Sequence, residues 1–254
     1  MDPKEMWDAG NFAAVAEKIL DVGEVVVTAA GVEPGMEVLD VACGTGNATL
    51  PAARAGARVT GLDFAPGLLD IARERAADAM VEVDFIEGDA QALPFADGSF
   101  DRVVSTFGHM FAPDHRRTAD EMKRVLKPGG VIAVACWAPD GSIGRMARVT
   151  ADLLPAPPGE PPGLWGTEDH VREMWGDADF ERREIVWTDD SVESYARFML
   201  ESFGPLLNAR EVLGERQGEL DRAFREYLES ENEADDGTLR FRGEYVVSVV
   251  RKPG

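Results

Sequence analysis

Apolar side chains fall along this chain in two alternating rhythms. Short continuous runs, of the kind that fills a strand buried on both faces, are separated by stretches where apolar residues recur every third or fourth position, as on one side of a helix. The first run is Val38, Leu39 and Val41, and it stops at Gly44-Thr45-Gly46. Asn47 then stands where a helix cap is expected, ahead of Thr49, Leu50, Ala52 and Ala53, with Gly56 as the stop and Pro51 close enough to the start to be tolerated. Before this unit, Phe12, Val15, Ile19, Val22 and Val26 predict one helix capped by Asn11, reaching Ala30 and ended by Gly31. After it come runs at 58–63, 83–87, 100–105 and 131–137. Between them lie helices around Leu68, Leu69 and Ala72 and over 119–126, the last broken by Lys127-Pro128-Gly129-Gly130. Five such alternations predict an α/β fold with a doubly wound, mostly parallel sheet.

From Ala138 the rhythm changes. Pro155, Pro157, Pro158, Pro161 and Pro162 crowd a stretch ending at Gly163-Leu164-Trp165-Gly166-Thr167, which reads as a long loop, either a lid or substrate wall or a simple connector. Helix 168–175 and strand 181–188 follow. Asp190-x-x-Glu193 then opens a helix bearing Val192, Tyr195, Ala196, Met199, Leu200 and Phe203, closed by Gly204-Pro205, and a further helix carries Leu213, Leu220, Phe224 and Tyr227. An acidic loop at 229–237 precedes two strand segments, or one long strand, around Gly243. The expected organisation is an amino-terminal helix with a possible flap over 1–35, a ligand-binding core over 36–140, and a segment 141–254 that supplies lid or substrate wall, a helical cap and the remaining strands of the same domain.

With 254 residues the chain can bury a substantial core, and no apolar run approaches the roughly 20 residues of a membrane span. The amino terminus carries no basic stretch followed by an apolar core, so a cytoplasmic location is expected. A net charge of −21 disfavours nucleic acid and anionic membranes as partners and leaves small molecules or cationic partners; a monomer or homodimer is expected. Cys43 and Cys136 lie in apolar settings and read as small buried hydrophobes; no metal site is expected, and His115 and His170 read as surface residues.

Candidate chemistry gathers where the strands end. Gly44 and Gly46 remove side chains that would keep a ligand off the backbone, and a helix start offers unpaired amides. Asp63 closes the second run 17 residues beyond Gly46, near the spacing at which an acid reaches a ribose bound over the first turn; capping the next helix is its bland alternative. Asp89, just past the third run, falls on the same sheet edge, where its carboxylate can accept from an exocyclic adenine amine.

Taken together, DVACGTGNATL, the acid in VTGLDFAPGLL, GDAQALPFADGSFDRVVS and the RVLKPGG stop resemble the class I S-adenosylmethionine-dependent methyltransferases, nearest the small-molecule branch related to the ubiquinone and menaquinone methyltransferases. The likeness covers about 36–137. It implies a Rossmann-like seven-stranded sheet with an antiparallel final strand, and S-adenosyl-L-methionine as cofactor, leaving as S-adenosyl-L-homocysteine. By that resemblance the turn of Asp40, Ala42, Gly44, Thr45 and Gly46 holds the methionine portion, Asp63 the ribose and Phe64 the adenine face. Asp89 and Ala90 would reach the adenine edge, and Ser105 and Thr106 would flank the methionine end.

The implied reaction is methyl transfer to O, N or C of a small apolar or aromatic acceptor. Were the acceptor a hydroxyl or phenol, His109, just past the fourth run, is the placed general base, though an imidazole in STFGHMF also reads as a packed wall residue. Trp7 on the possible flap, Met110, Phe111, Trp137 and Trp165 are the candidate acceptor pocket. A nicotinamide dehydrogenase fits poorly, because Thr49 stands where G-x-G-x-x-G needs its third glycine. A protein that binds the same cofactor without transferring methyl is the alternative of a different class.

Overall fold

The computed structural model describes residues 1–155 and 158–254, so Pro157 of the proline-rich stretch lies outside the described residues. The first apolar run forms β1 (Glu37–Val41), where Val38, Leu39 and Val41 are wholly buried. It pairs in parallel with β2 (Arg58–Asp63) on one side and β4 (Phe100–Thr106) on the other. β3 (Asp84–Glu87) extends the β2 edge, and β5 (Leu126–Trp137) follows β4, both in parallel. The final strand β7 (Leu239–Arg251) lies antiparallel between β5 and β6 (Ala178–Asp189), giving seven strands in the order β3-β2-β1-β4-β5-β7-β6. Strand order reverses between β1 and β4, so their carboxyl ends open the crevice in which such sheets bind ligands.

The core under that crevice joins the central strands to α3 (Leu20–Ala30), α4 (Thr49–Arg54) and α6 (His115–Val125). Each fully buried Val, Leu or Ile there contributes about 1.5–3 kcal/mol of transfer free energy, which explains why their runs dominate the pattern. A second core forms from α9 (Val192–Ser202), α10 (Gly204–Leu213) and α11 (Gln217–Glu231) around Tyr195, Leu220, Phe224 and Phe241. It makes a helical cap beside β6 and β7. Among the described residues no helix is long and apolar enough to cross a membrane.

Three elements differ from the sequence reading, each through a contact made at a distance. The first long helix is broken at Lys18-Ile19 into α2 (Phe12–Glu17) and α3. Asn47 Nδ2 donates to the Ala16 carbonyl at 2.9 Å, an acceptor that an unbroken helix would give to Leu20. Asn47 is therefore a tether and not a helix cap; the residue before α4 is Ala48, without a side-chain cap. Lys127-Pro128-Gly129-Gly130 lies inside β5, where the pairing with β4 shifts register between Phe100 and Arg102, while Gly129 N donates to Lys252 O. Within the stretch read as a loop, α7 (Ser142–Ala151) is a helix whose first amide donates to Glu244 Oε2 at 2.8 Å, and Ile143, Met146 and Val149 pack it on the cap core. The last stretch takes the second of its two expected forms, since β7 is one strand. Gly243 passes beneath the Trp187 indole, where a Cβ would stand 2.6 Å from Nε1.

The amino terminus forms α1 (Pro3–Asp8), begun by a capping box between Asp2 and Glu5. It is wedged between α10 and α5 (Pro66–Asp78). Gly204 permits the first of these approaches, since a Cβ there would lie 1.8 Å from Met6 O.

Candidate cofactor site

The turn after β1 is shaped by left-handed backbone. Ala42, Gly44 and Gly46 have φ of +53°, +53° and +88°. A Cβ on Gly44 or Gly46 would find its nearest neighbour at 3.7–3.8 Å, so these positions need glycine for conformation and not for space. Three amides of this turn are used within the protein: Cys43 N donates to Leu62 O and Gly46 N to Cys43 O, each at 2.9 Å, and Gly44 N donates to Asp63 Oδ2 at 2.8 Å. Gly23 of α3 lies against the turn, where a Cβ would meet Asn47 O at 1.8 Å.

Arg75 of α5 holds the turn from outside. Its Nη1 donates to Thr45 O at 2.6 Å, Thr45 Oγ1 at 2.9 Å and Asn47 Oδ1 at 2.9 Å. Sequence reasoning missed Arg75, because an arginine 29 positions beyond Gly46 on an amphipathic helix looks like an ordinary solvated charge. Its pKa is lowered by burial, a sign that the guanidinium is drawn into the protein by these acceptors.

Three acids stand at the sheet edge in different states. Asp40 is wholly buried; Thr49 Oγ1 donates to its Oδ2 at 2.6 Å, while Oδ1 has no partner. Burial pushes its pKa up to about 7. Asp63, 4 % exposed, ties two turns together by accepting from Gly44 N at 2.8 Å and Ala65 N at 2.9 Å, and burial raises its pKa as well. A carboxylate accepts about four hydrogen bonds, so this bracing leaves capacity for ligand hydroxyls. Asp89 is exposed and turned to its own loop, accepting from Gln91 N at 2.8 Å and Gln91 Nε2 at 3.1 Å, with Ala90 buried beside it.

At the end of β4, Ser105 Oγ donates to Val41 O at 2.6 Å and accepts from His109 N at 3.2 Å, so its hydroxyl fastens β4 to β1. Thr106 beside it is half-buried. Phe107, at φ +61°, stacks on Trp137 with ring centroids 3.9 Å apart. Gly108 permits contact with the first turn, because a Cβ there would lie 2.2 Å from Ala42 O.

His109 and Trp165 do not have the surroundings the sequence suggested. The His109 ring is fully buried, its Nε2 lies 3.6 Å from Cys136 Sγ, its Nδ1 has no partner, and burial lowers its pKa to about 3. An imidazole that stays neutral and sealed is a poor proton acceptor for a substrate, so the general-base reading gives way to the wall reading. Trp165 is wholly buried among His109, His115, His170 and Trp175 and lines no open acceptor pocket here. Met110 is likewise buried, at 2 % exposure. His115 and His170 are not surface residues: they are 0 % and 8 % exposed.

Of the remaining pocket residues, Trp137 stacks on Phe107, while Trp7 and Phe111 meet in a separate cluster. Trp7 of α1 packs edge-on against Phe111, Phe12 and Phe203 with centroids 4.8–6.0 Å apart, and it covers Phe64, Ala65 and Leu68. Asp8 Oδ1 accepts from Gly67 N at 3.1 Å, and Lys4 pairs with Glu87. Thus α1 lies over the loop that follows β2, and Gly10, at φ +74°, joins it to α2.

An S-adenosyl compound fits these residues on chemical grounds. The unpartnered buried oxygen of Asp40 offers a place for an ammonium group, and Phe64 offers a ring beside a carboxylate with spare acceptor capacity.

Comparison with known proteins agrees. Residues 38–130 match the family described as Methyltransferase domain. The uncharacterized protein Rv1403c of Mycobacterium tuberculosis is 38% identical over 98% of this chain and 93% of its own length. A demethylmenaquinone methyltransferase of Renibacterium salmoninarum is 45% identical over 127 residues, which span 48% of this chain and 52% of that protein. The YcgJ protein of Bacillus subtilis shares the fold, with a TM-score of 0.62 at 18% identity over 91% of this chain and 97% of its own. The chain belongs to the class I S-adenosylmethionine-dependent methyltransferases, with S-adenosylmethionine as its cofactor and methyl donor.

Proposed function

We propose that the acceptor is a small apolar or aromatic molecule, methylated at O, N or C by positioning alone, without a side-chain base. The observation that supports this reading is a pair of aromatic clusters, Trp7 with Phe12, Phe111 and Phe203 near the loop after β2, and Phe107 stacked on Trp137 past the carboxyl ends of β4 and β5. The net charge of −21 also argues against a polyanionic acceptor. The matched span of the demethylmenaquinone methyltransferase is about half of each chain, so its acceptor is not transferred here.

In this reading Asp40, Ala42, Gly44, Thr45 and Gly46 hold the methionine portion of the cofactor, and Asp63 and Phe64 hold the ribose and adenine. Asp89 and Ala90 border the adenine edge, and Ser105 and Thr106 shape the backbone beside the methionine end. The bound sulfonium supplies an already activated methyl carbon. The chain's own part is to align the acceptor behind that carbon and to exclude water, effects worth up to about 7–11 kcal/mol when orientation is good. α1, with Trp7 facing inward, is the flap that excludes water, and His109 braces the wall.

The test is a transfer assay with isotopically labelled methyl donor and a panel of neutral aromatic, quinol and aliphatic acceptors beside anionic ones. Label passing to neutral aromatic or apolar acceptors supports the reading. Transfer confined to anionic acceptors refutes it, and donor binding without transfer to any of them favours the non-transferring alternative.

A further inference from the structure

All three histidines of this chain converge on Trp165. Two of them meet a carboxylate. His115 Nδ1 lies 2.9 Å from His170 Nε2 and 3.9 Å from Glu160 Oε2, and the ligand atoms of the three residues fall within 4.8 Å of one another. They come from three separate elements: the first residue of α6, the loop at 158–161, and α8 (Glu168–Trp175). The sequence gives no spacing motif for this set, which is why both histidines read as surface residues.

We propose that His115, His170 and Glu160 form a binding site for a borderline divalent metal ion, Zn²⁺ in the first place, that clasps the 158–170 segment to the start of α6. Two imidazoles and one carboxylate make a donor set of the type zinc takes, with a fourth position for water. Ligands of a tetrahedral zinc ion stand roughly 3.3 Å apart, and the observed 2.9 and 3.9 Å bracket that spacing. Small side-chain rotations suffice.

The carboxylate is held in place before any ion arrives. Glu160 N donates to Pro113 O at 3.0 Å, and Glu160 Oε2 accepts from His115 N at 2.9 Å, a bond that orients the carboxylate and leaves a further lone pair on that oxygen for an ion. Gly159, at φ +97°, makes that approach possible, because a Cβ there would lie 2.5 Å from Pro113 Cβ. His170 and His115 are nearly or fully buried while Glu160 is exposed, so an ion would reach the site from the Glu160 side. Once bound it would fix the turn that carries Trp165 (Pro162–Gly166) against His109.

The experiment uses the untagged full chain, stripped with chelator and titrated with ZnCl₂ by calorimetry, with CoCl₂ as an absorption probe and thermal melting as a second readout. One equivalent of Zn²⁺ is expected, together with a rise in Tm that chelator reverses and tetrahedral visible bands with Co²⁺. In His170→Gln and Glu160→Gln the affinity is expected to fall by at least about tenfold. Absence of binding by the wild-type chain, or binding unchanged in both variants, overturns the proposal and leaves a hydrogen-bonded histidine pair. If His170→Gln does not fold, the exposed loop substitution Glu160→Gln decides alone. No step of the readout depends on methyl transfer.

Discussion

Asp40 and His109 show how burial assigns roles that residue type alone does not. Asp40 has a folded pKa of about 7 against an ordinary 3.8, so between those values the folded chain keeps a proton that the unfolded chain has released. The stability from that proton is full below about pH 4 and lost as pH rises through 7. Asp40→Asn is therefore expected to raise the Tm of the free chain at pH 8, with a gain that shrinks toward pH 5. The same substitution should weaken S-adenosylmethionine binding by about tenfold or more, the value of a charge-assisted hydrogen bond. For the wild type, calorimetry near pH 6 in buffers of different ionisation enthalpy should show proton release on binding. A Tm and an affinity both unchanged in the variant would remove Asp40 from the site.

His109 is the converse case. With a pKa near 3 it is neutral throughout the working range, so the pH profile of kcat in His109→Ala is expected to match wild type between pH 5 and 9. Stability should fall by about 2–3 kcal/mol from the cavity left behind. Loss of an ionisation from that profile would restore the general-base reading. That Asp63 and Asp89 fall at the ends of β2 and β3 was legible in sequence, because their apolar runs mark those strands. The histidine's environment was not, because Trp165 and Trp175 reach it from the other side of a proline-rich stretch.

Between elements, close backbone approach decides the geometry of the glycine turn. Asn47, Gly23 and Arg75 bind it to α2, α3 and α5 respectively. Arg75→Met removes three donated bonds to Thr45 and Asn47. It is expected to weaken cofactor binding by about tenfold and to lower stability by about 1–3 kcal/mol, read by calorimetry and denaturant titration. Full affinity in that variant would mean that the turn holds its shape without α5.

The apolar runs of β1, β2, β4 and β5 were readable because a parallel strand buried on both faces must be apolar along its length. The break at Lys18-Ile19 was hidden, since the helical period continues through it and only a carbonyl taken by Asn47 interrupts it. The helix α7 was hidden by the prolines that follow it. Lys127–Gly130 was read as a stop because its residues suit a turn, yet the bulge between β4 and β5 keeps them in the sheet.

Across the whole molecule, the loop after β2 is covered from outside by a short helix with few polar anchors. Asp8 to Gly67, Lys4 to Glu87 and the Trp7 cluster fasten α1, while Gly10 supplies a left-handed joint. Elements held by so few contacts open at low free energy. Limited proteolysis is expected to cut near Gly10 in the free chain, and S-adenosylhomocysteine should slow that cut severalfold by adding a surface for α1 to cover. Equal rates with and without ligand would mean that α1 is a fixed wall.

The central claim is that the turn at 40–46 and the acid ending β2 together hold one adenosyl cofactor. Its most direct measurement is a calorimetric titration of S-adenosylhomocysteine and, separately, NADH into the wild-type chain and into Asp63→Ala. Binding of one S-adenosylhomocysteine per wild-type chain, at least about tenfold weaker binding in the variant, and no uptake of NADH are predicted. Wild-type affinity in Asp63→Ala, or NADH bound where S-adenosylhomocysteine is not, would contradict the account.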